Sequence, residues 1–237
     1  MKNLVLSLYA VALSLSLAAQ STETVNDANA QVRTVGSFHA IQAQDGIDIY
    51  LSHSATPSLA VSANGDYRDK IVTVVENGVL KLYYDGEKLS GWKNRQMRAY
   101  IGFTSLDKIS ASGGADVIVK DEVSANNLAL RLSGGSDFSG TVKVGTLDIE
   151  QSGGSDVRIS GTATNLKVQA SGGSDFKGFD LLTSIADLNS SGGSDAEVSV
   201  DKEISAHASG GSDVRYRGKA TISRTSSSGG SSVSKRG

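Results

Sequence analysis

Ser152-Gly153-Gly154-Ser155-Asp156 is followed nineteen residues later by Ser171-Gly172-Gly173-Ser174-Asp175, and the phrase recurs well beyond these two. Near-copies run from Ser112 to Asp116 (with Ala115 in fourth place), Ser133 to Asp137, Ser191 to Asp195, Ser209 to Asp213 and, in degenerate form, Ser228 to Ser232. Counted between last residues, the steps are 21, 19, 19, 20, 18 and 19. A sustained period near twenty is the mark of a stacked repeat, in which each unit contacts only its neighbours.

Around each phrase the chain alternates by twos. Val117, Phe138, Val157, Phe176, Ala196, Val214 and Val233 stand one residue after it, and Val119, Gly140, Ile159, Gly178, Val198 and Tyr216 two further on. Between them lie mostly polar residues such as Ser139, Arg158, Lys177, Glu197 and Arg215. Before each phrase, Ile109, Leu130, Ile149, Val168, Leu188 and Ala206 form one apolar series, and Leu128, Leu147, Leu166, Ala186 and Ile204 another. Arg131, Glu150, Gln169, Asn189 and His207 interleave. Period-two alternation is that of a strand with one buried face. Each repeat therefore reads as strand, Gly-Gly corner, strand, then a loop such as Gly161 to Asn165.

One such unit cannot bury its apolar face. Stacked so that each strand pairs with its equivalent one turn on, the units gain a continuous core and satisfied backbone groups. The expected fold is all-β: a single-stranded, right-handed parallel β-helix of about seven turns, right-handedness being the default for parallel crossovers. Its six intervals would span about 29 Å at about 4.8 Å per turn. Antiparallel hairpins are the rival arrangement, but they do not require equivalent residues to recur every 19 or 20 positions. The corner pairs Gly113-Gly114, Gly134-Gly135, Gly153-Gly154, Gly172-Gly173, Gly192-Gly193 and Gly210-Gly211 meet the need for φ > 0 or close backbone approach.

The chain has 237 residues, a formal net charge of −2 and no cysteine. Disulfides, thiolate metal sites and a lipid-modified cysteine are thereby excluded. The charge balance, without basic clusters, argues against nucleic acid or an anionic membrane as partner. Residues 1–19, a lysine followed by an apolar run ending in Leu17-Ala18-Ala19, read as a secretory signal peptide cleaved near Ala19/Gln20; the run is short for a membrane anchor. The mature protein is then expected in the periplasm, at the cell surface or outside the cell, and not membrane-spanning. Residues 20–31 read as a flexible leader and 32–104 as an irregular β-region capping the helix, with a hairpin turn at Asn77-Gly78. Residues 105–237 are the regular repeats, the last one degenerate.

Phe38-His39-Ala40-Ile41, Gly46-Ile47-Asp48-Ile49, Asn77-Gly78-Val79-Leu80 and the Ser-Gly-Gly-Ser-Asp corners together resemble the auto-transporter adhesin head GIN domain family over about residues 36 to 220. The third residue of the GIN motif is here Asp48. The resemblance implies an exported β-helical domain of Gram-negative envelopes. Five residues follow the last corner, so the membrane barrel of an auto-transporter is not expected with it.

Four features invite a functional reading. Asp116, Asp137, Asp156, Asp175, Asp195 and Asp213 should stack on one corner, where carboxylates about 4.8 Å apart repel by about 0.9 kcal/mol even in bulk water. Compensation by backbone N–H groups of each Asp's own turn is the favoured account. A calcium ladder is the alternative, thinly supplied with oxygens, and no cofactor is expected. A polysaccharide-cleaving β-helix enzyme would find carboxylate pairs here, but six equivalent pairs are no active site, and catalysis needs two carboxyls in distinct environments. His39, His53 and His207 are far apart in sequence and read as surface residues. Finally, Tyr83, Tyr84, Trp92, Arg95 and Tyr100 mix aromatic and basic character outside the repeats and are candidate contacts for an envelope glycan or surface protein. The functional expectation is a non-enzymatic structural or adhesion-like binding module at the cell envelope, with a carbohydrate-active enzyme as the alternative.

Overall fold

The structure, a computed structural model, describes residues 27–87 and 96–236. The expected signal peptide and its cleavage point, like Trp92 and Arg95, lie outside them. In chain order the elements are β1 (Gln31–Arg33), β2 (Ala40–Ala43), β3 (Asp48–His53), β4 (Ser58–Ser62), a 3-10 helix (Gly65–Lys70), β5 (Ile71–Glu76), β6 (Val79–Tyr84), β7 (Arg98–Phe103) and β8 (Lys108–Ser112). Long strands follow: β9 (Val117–Ser133), β10 (Phe138–Ser152), β11 (Asp156–Ala170), β12 (Asp175–Ser190) and β13 (Asp195–Gly210). β14 (Asp213–Arg217), β15 (Thr221–Gly229) and β16 (Ser232–Lys235) complete the chain.

β9 to β13 pair in parallel, each with the next, and the register sets equivalent repeat residues side by side. Val117 lies beside Phe138, Phe138 beside Val157, Val157 beside Phe176, Phe176 beside Ala196 and Ala196 beside Val214. The chain forms the expected parallel β-solenoid of about seven turns. Its turns are more continuous than strand, corner, strand and loop. Gly161 to Asn165, read above as a loop, lies within β11 and pairs with β10 on one side and with β12 on the other. A near-constant repeat length lets even the connecting segment find its equivalent one turn away, which satisfies its backbone groups. One-residue differences in length are absorbed by irregularities, as between Arg158 and Gly161.

The boundary drawn at residue 104 needs correction. β2 pairs in parallel with β8, Ala43 opposite Ala111, and β3 with β9, Ile49 opposite Val117. Gln44-Asp45-Gly46-Ile47-Asp48 therefore occupies the same place as Ser112-Gly113-Gly114-Ala115-Asp116. Residues 40–53 are a regular solenoid turn whose corner the Gly-Gly search misses, because Asp45 takes the first glycine's place with φ 58°. On the other side of this turn lie β6, parallel to β2, and β7, parallel to β3. Stacking order thus departs from chain order at this end.

Antiparallel strands close the stack there: β5 on β6 around the expected Asn77-Gly78 turn, β4 on β7, and β1 on β4. Gln31, assigned above to a flexible leader, pairs with Val61. Arg33 fastens this strand, donating to the carbonyls of Ile71 and Arg68 and to Thr73 Oγ1. A three-residue edge strand leaves few free backbone groups for unwanted pairing.

The interior is built from the apolar columns read in the sequence. Phe138 and Phe176 are fully buried, and so are the Ile109, Leu130, Ile149, Val168 and Leu188 series. The two interior glycines of the third column acquire a reason. A Cβ on Gly178 would lie 2.5 Å from the Phe176 ring, whereas one on Gly140 would lie 2.6 Å from Val119 Cβ, with the Phe138 ring at 3.3 Å. Phe176 covers the side-chain space of the residue two places on, whereas Val157 leaves that space to Ile159.

That exchange of volume predicts coupling. Gly178→Ile alone should destabilise by about 1–3 kcal/mol through overpacking. Adding Phe176→Val, which copies the Val157/Ile159 turn, should recover at least half of the loss, with the Glu197 carbonyl 3.0 Å from the new Cβ leaving a residue. Urea midpoints of the two singles and the double measure it; strictly additive losses would refute the pairing.

Candidate functional site

The corner is held by groups whose roles the repeat alone does not disclose. The first glycine of every pair has φ between +66° and +79°. From Gly172 onward its hypothetical Cβ would also sit 2.8 to 2.9 Å from the preceding turn's glycine carbonyl. The second glycine has positive φ only at Gly114 and Gly135, and a Cβ on Gly173 would meet nothing closer than 3.8 Å. The demand therefore falls on one glycine in the later corners. The second serine is a buried latch: Ser136, Ser155, Ser174, Ser194 and Ser212 have no exposed surface. The Ser194 hydroxyl accepts from the Ser191 N–H (3.1 Å) and lies within bonding distance of the carbonyls of Ser191 (3.0 Å) and, one turn back, Ala170 (3.2 Å). Ser212 repeats the arrangement with Ser209 and Ser190.

The aspartates stack in one column, and where a backbone N–H meets a carboxylate it comes from the following turn, not from the aspartate's own. Asp137 N–H donates to Asp116 Oδ1 (3.1 Å), Asp156 N–H to Asp137 (2.9 Å) and Asp213 N–H to Asp195 (3.0 Å). Asp116 N–H donates to Asp48 Oδ1 (3.3 Å), so the Asp of the GIN-like motif is the first member of the column. In the C-terminal half, cations two residues past the corner neutralise the stack. Lys177 reaches Asp156 (3.1 Å) and Asp175 (3.3 Å), and Arg215 reaches Asp195 (3.0 Å) and Asp213 (2.7 Å).

Tyr50, Ile118 and Ser139 hold that position in the N-terminal half, and the electrostatics differ accordingly. Burial raises the Asp116 carboxyl above the ordinary aspartate range; the Asp137 N–H opposes this and the Asp137 charge adds to it. Burial likewise raises Asp48, with Asp116 in the same double part. At the far end the Ser232 hydroxyl, followed by Arg215, holds Asp213 below that range. Among the described residues no group of three or more His, Asp or Glu is arranged to hold a metal ion.

Of the aromatic candidates, the three described tyrosines do not form one surface. Tyr84 lies on β6 near Tyr67, ring centroids 6.1 Å apart, and packs against the core. Tyr83 faces the other way, opposite Val72 on β5. Tyr100, on β7, stacks on Tyr50 at 5.3 Å and donates to Asp27 (2.9 Å). The histidines are exposed and apart: His39 against Asp107 (3.0 Å), His53 edge-on to Phe103 and His207 against Ser226 Oγ (2.5 Å).

A different surface emerges on the wall that precedes the corners. Ser110, Arg131, Glu150, Gln169 and Asn189 project outward in one column, and the first serines of the corners, half-exposed, form a second beside it. Between them runs a groove of about 510 Å³. On the other side of Gln169 and Asn189 lies a second hollow of about 410 Å³ that includes Lys167, Asp187, His207 and Arg224. Arg131 is held between Asp148 (2.9 Å) and Glu150 (3.1 Å). The sequence reading recognised these residues only as outward and polar; stacking them was the signal that makes them a strip.

The family described as "Putative auto-transporter adhesin, head GIN domain" matches residues 37–220, and the chain belongs to it. Three solved structures share the fold. A "putative adhesin" from Bacteroides fragilis NCTC 9343 superposes with a TM-score of 0.82 at 22% identity, over 87% of this chain and 96% of that one. Another from Parabacteroides merdae ATCC 43184 gives 0.72 at 17% identity, over 88% and 95%. A "putative lipid binding protein" from Parabacteroides distasonis ATCC 8503 gives 0.68 at 19% identity, over 89% and 98%. No curated protein matches the sequence.

Two outcomes follow from the corner geometry. Gly172→Val should cost about 2–4 kcal/mol, through left-handed strain and the Gly153 carbonyl, while Gly173→Val should cost under about 1 kcal/mol; thermal melts compare them. The second outcome concerns pH. A carboxyl with a raised folded-state pKa favours folding when protonated, a contribution present below the ordinary aspartate range and lost as pH rises through the raised value. For the depressed Asp213 the contribution is present at neutral pH and lost as pH falls. From about pH 7 down to about pH 3, wild type should therefore gain stability relative to Asp116→Asn and lose it relative to Asp213→Asn. Parallel curves in urea denaturation would contradict the assignment.

Proposed function

We propose that this member of the head GIN domain family is an exported, non-enzymatic, adhesion-like module of the cell envelope that holds an extended polymer in the groove along its pre-corner wall. The groove itself carries the proposal: outward hydrogen-bonding side chains recur once per turn beside a column of serine hydroxyls, on a rigid support. Of the corner carboxylates, which an enzyme would need free, Asp116, Asp137 and Asp195 accept backbone N–H groups of the next turn, and Asp156 and Asp175 are paired with Lys177. One structural neighbour is named for lipid binding; here the interior is filled by buried side chains and the side chains that rim the groove are polar, above a floor that includes Ala111, Leu132 and Ala170, which favours a hydroxyl-bearing polymer over an acyl chain. Among the described residues no helix is long and apolar enough to cross a membrane, and export rests on the reading of residues 1–19.

Mature protein, immobilised and exposed to polymers extracted from cell envelopes, tests this. Retention of an intact polymer, lost in the double variant Gln169→Ala/Asn189→Ala at unchanged melting temperature, is the expected result. Release of shortened polymer would point instead to the carbohydrate-active alternative. Retention indifferent to the double variant would remove the groove from the function.

A further inference from the structure

Resting on that reading, we infer that the groove takes an uncharged linear polysaccharide, laid along the solenoid axis with about one sugar residue per turn. Three observations carry it.

The first is spacing. The column residues recur at the strand separation, about 4.8 Å, which is close to the length of one pyranose unit in an extended chain. From Gln42, which pairs with Ser110, to Asn189, the column along the groove spans about 24 Å. A polymer whose own repeat matches the support can make the same kind of contact at every turn. An extended peptide repeats every two residues, about 6.6 Å, which is out of step with the turns, and it alternates the direction of its side chains, so half of them would face away.

The second is chemistry. One rim offers amides at Gln169 and Asn189; the other offers serine hydroxyls such as Ser152 and Ser171. Both donate and accept, as a polyhydroxylated chain requires. Neither rim carries an aromatic ring or an apolar patch for acyl chains.

The third is charge. A polyanion would need a run of free cations, but Arg131, the cation at the centre of the groove, is already paired with Asp148 and Glu150. Lys167 lies among Asp148 on one side and Asp187 on the other in the parallel register. The groove thus presents nearly balanced charge to its ligand.

Weak contacts repeated at fixed spacing make affinity depend on ligand length. Each sugar exchanges hydrogen bonds with water for hydrogen bonds with the protein, a modest net gain. Affinity should rise about two- to tenfold per added residue and level off near the groove length, at about five residues.

The test uses the mature chain and neutral linear oligomers of glucan, mannan, xylan, galactan and chitin, graded in length, with oligogalacturonate as the charged control, by isothermal titration calorimetry. At least one neutral series should show the length dependence. Gln169→Ala/Asn189→Ala should flatten it, while Lys143→Ala/Thr162→Ala, exposed on another wall, should not. If the charged oligomers bind tighter and the groove variant abolishes that binding, the groove stands as a polymer site and its proposed preference falls. If no neutral series binds with length dependence and the groove variant changes nothing, the preference and the groove reading fall together. Length-dependent binding that survives the groove variant places the polysaccharide elsewhere and overturns the inference.

Discussion

Every turn of this protein must satisfy its backbone across a gap of one strand separation, and the corners are where that requirement is hardest to meet. Along a straight strand, N–H and C=O groups find the next turn through ordinary parallel pairing. At a bend they point away from that ladder, and a buried group left without a partner costs about 1–3 kcal/mol. The Ser-Gly-Gly-Ser-Asp phrase resolves this one group at a time. The first glycine takes the left-handed conformation and the close approach. The second serine closes the bend from within. The aspartate accepts the amide that the next turn presents. A motif repeated this faithfully is the local solution of one geometric problem.

The same requirement explains the unusual order at the N-terminal end. A parallel stack cannot terminate itself, since its outermost turn always exposes one row of unpaired groups. Here the chain lays down the turn of residues 40–53, then builds β4 to β7 outside it, and only then returns to continue the stack with β8. Reversing direction in β5, β4 and β1 replaces a parallel edge, which another solenoid could extend, with short antiparallel ones.

The repeat architecture was legible because its physical cause is local and recurs: apolar alternation and a left-handed corner leave the same residues every 19 or 20 positions. The turn at residues 40–53 was not, because Asp45 substitutes for glycine and sequence spacing is broken by the strands inserted before β8. Asp and Asn tolerate positive φ better than most residues, so Asp45-Gly46 was a readable corner only to a search that allowed the exchange. The Asp48 carboxylate hid for the same reason. Partners one turn away are also invisible to local reasoning: an aspartate beside a bend suggests its own backbone, and only the stacked register shows that the next turn's N–H is closer to the need. Tyr84 and Tyr100 seemed neighbours because they flank one segment, yet β6 and β7 pair with different strands of the preceding turn.

Repetition and the proposed recognition therefore occupy different columns of this solenoid. The positions that recur in nearly every corner, the first glycine, the inner serine and the aspartate, answer demands that the backbone makes of each turn, and they have little freedom left to encode a partner. The outward positions before the corner obey only the weaker rule that they be soluble. In successive turns they are Ser110, Arg131, Glu150, Gln169, Asn189 and His207, a series that the stacking neither requires nor forbids. Specificity can reside only where the structure leaves a choice. On the proposed reading, that makes the variable polar column, rather than the conspicuous aspartate ladder, the place where a preference for one polymer is encoded.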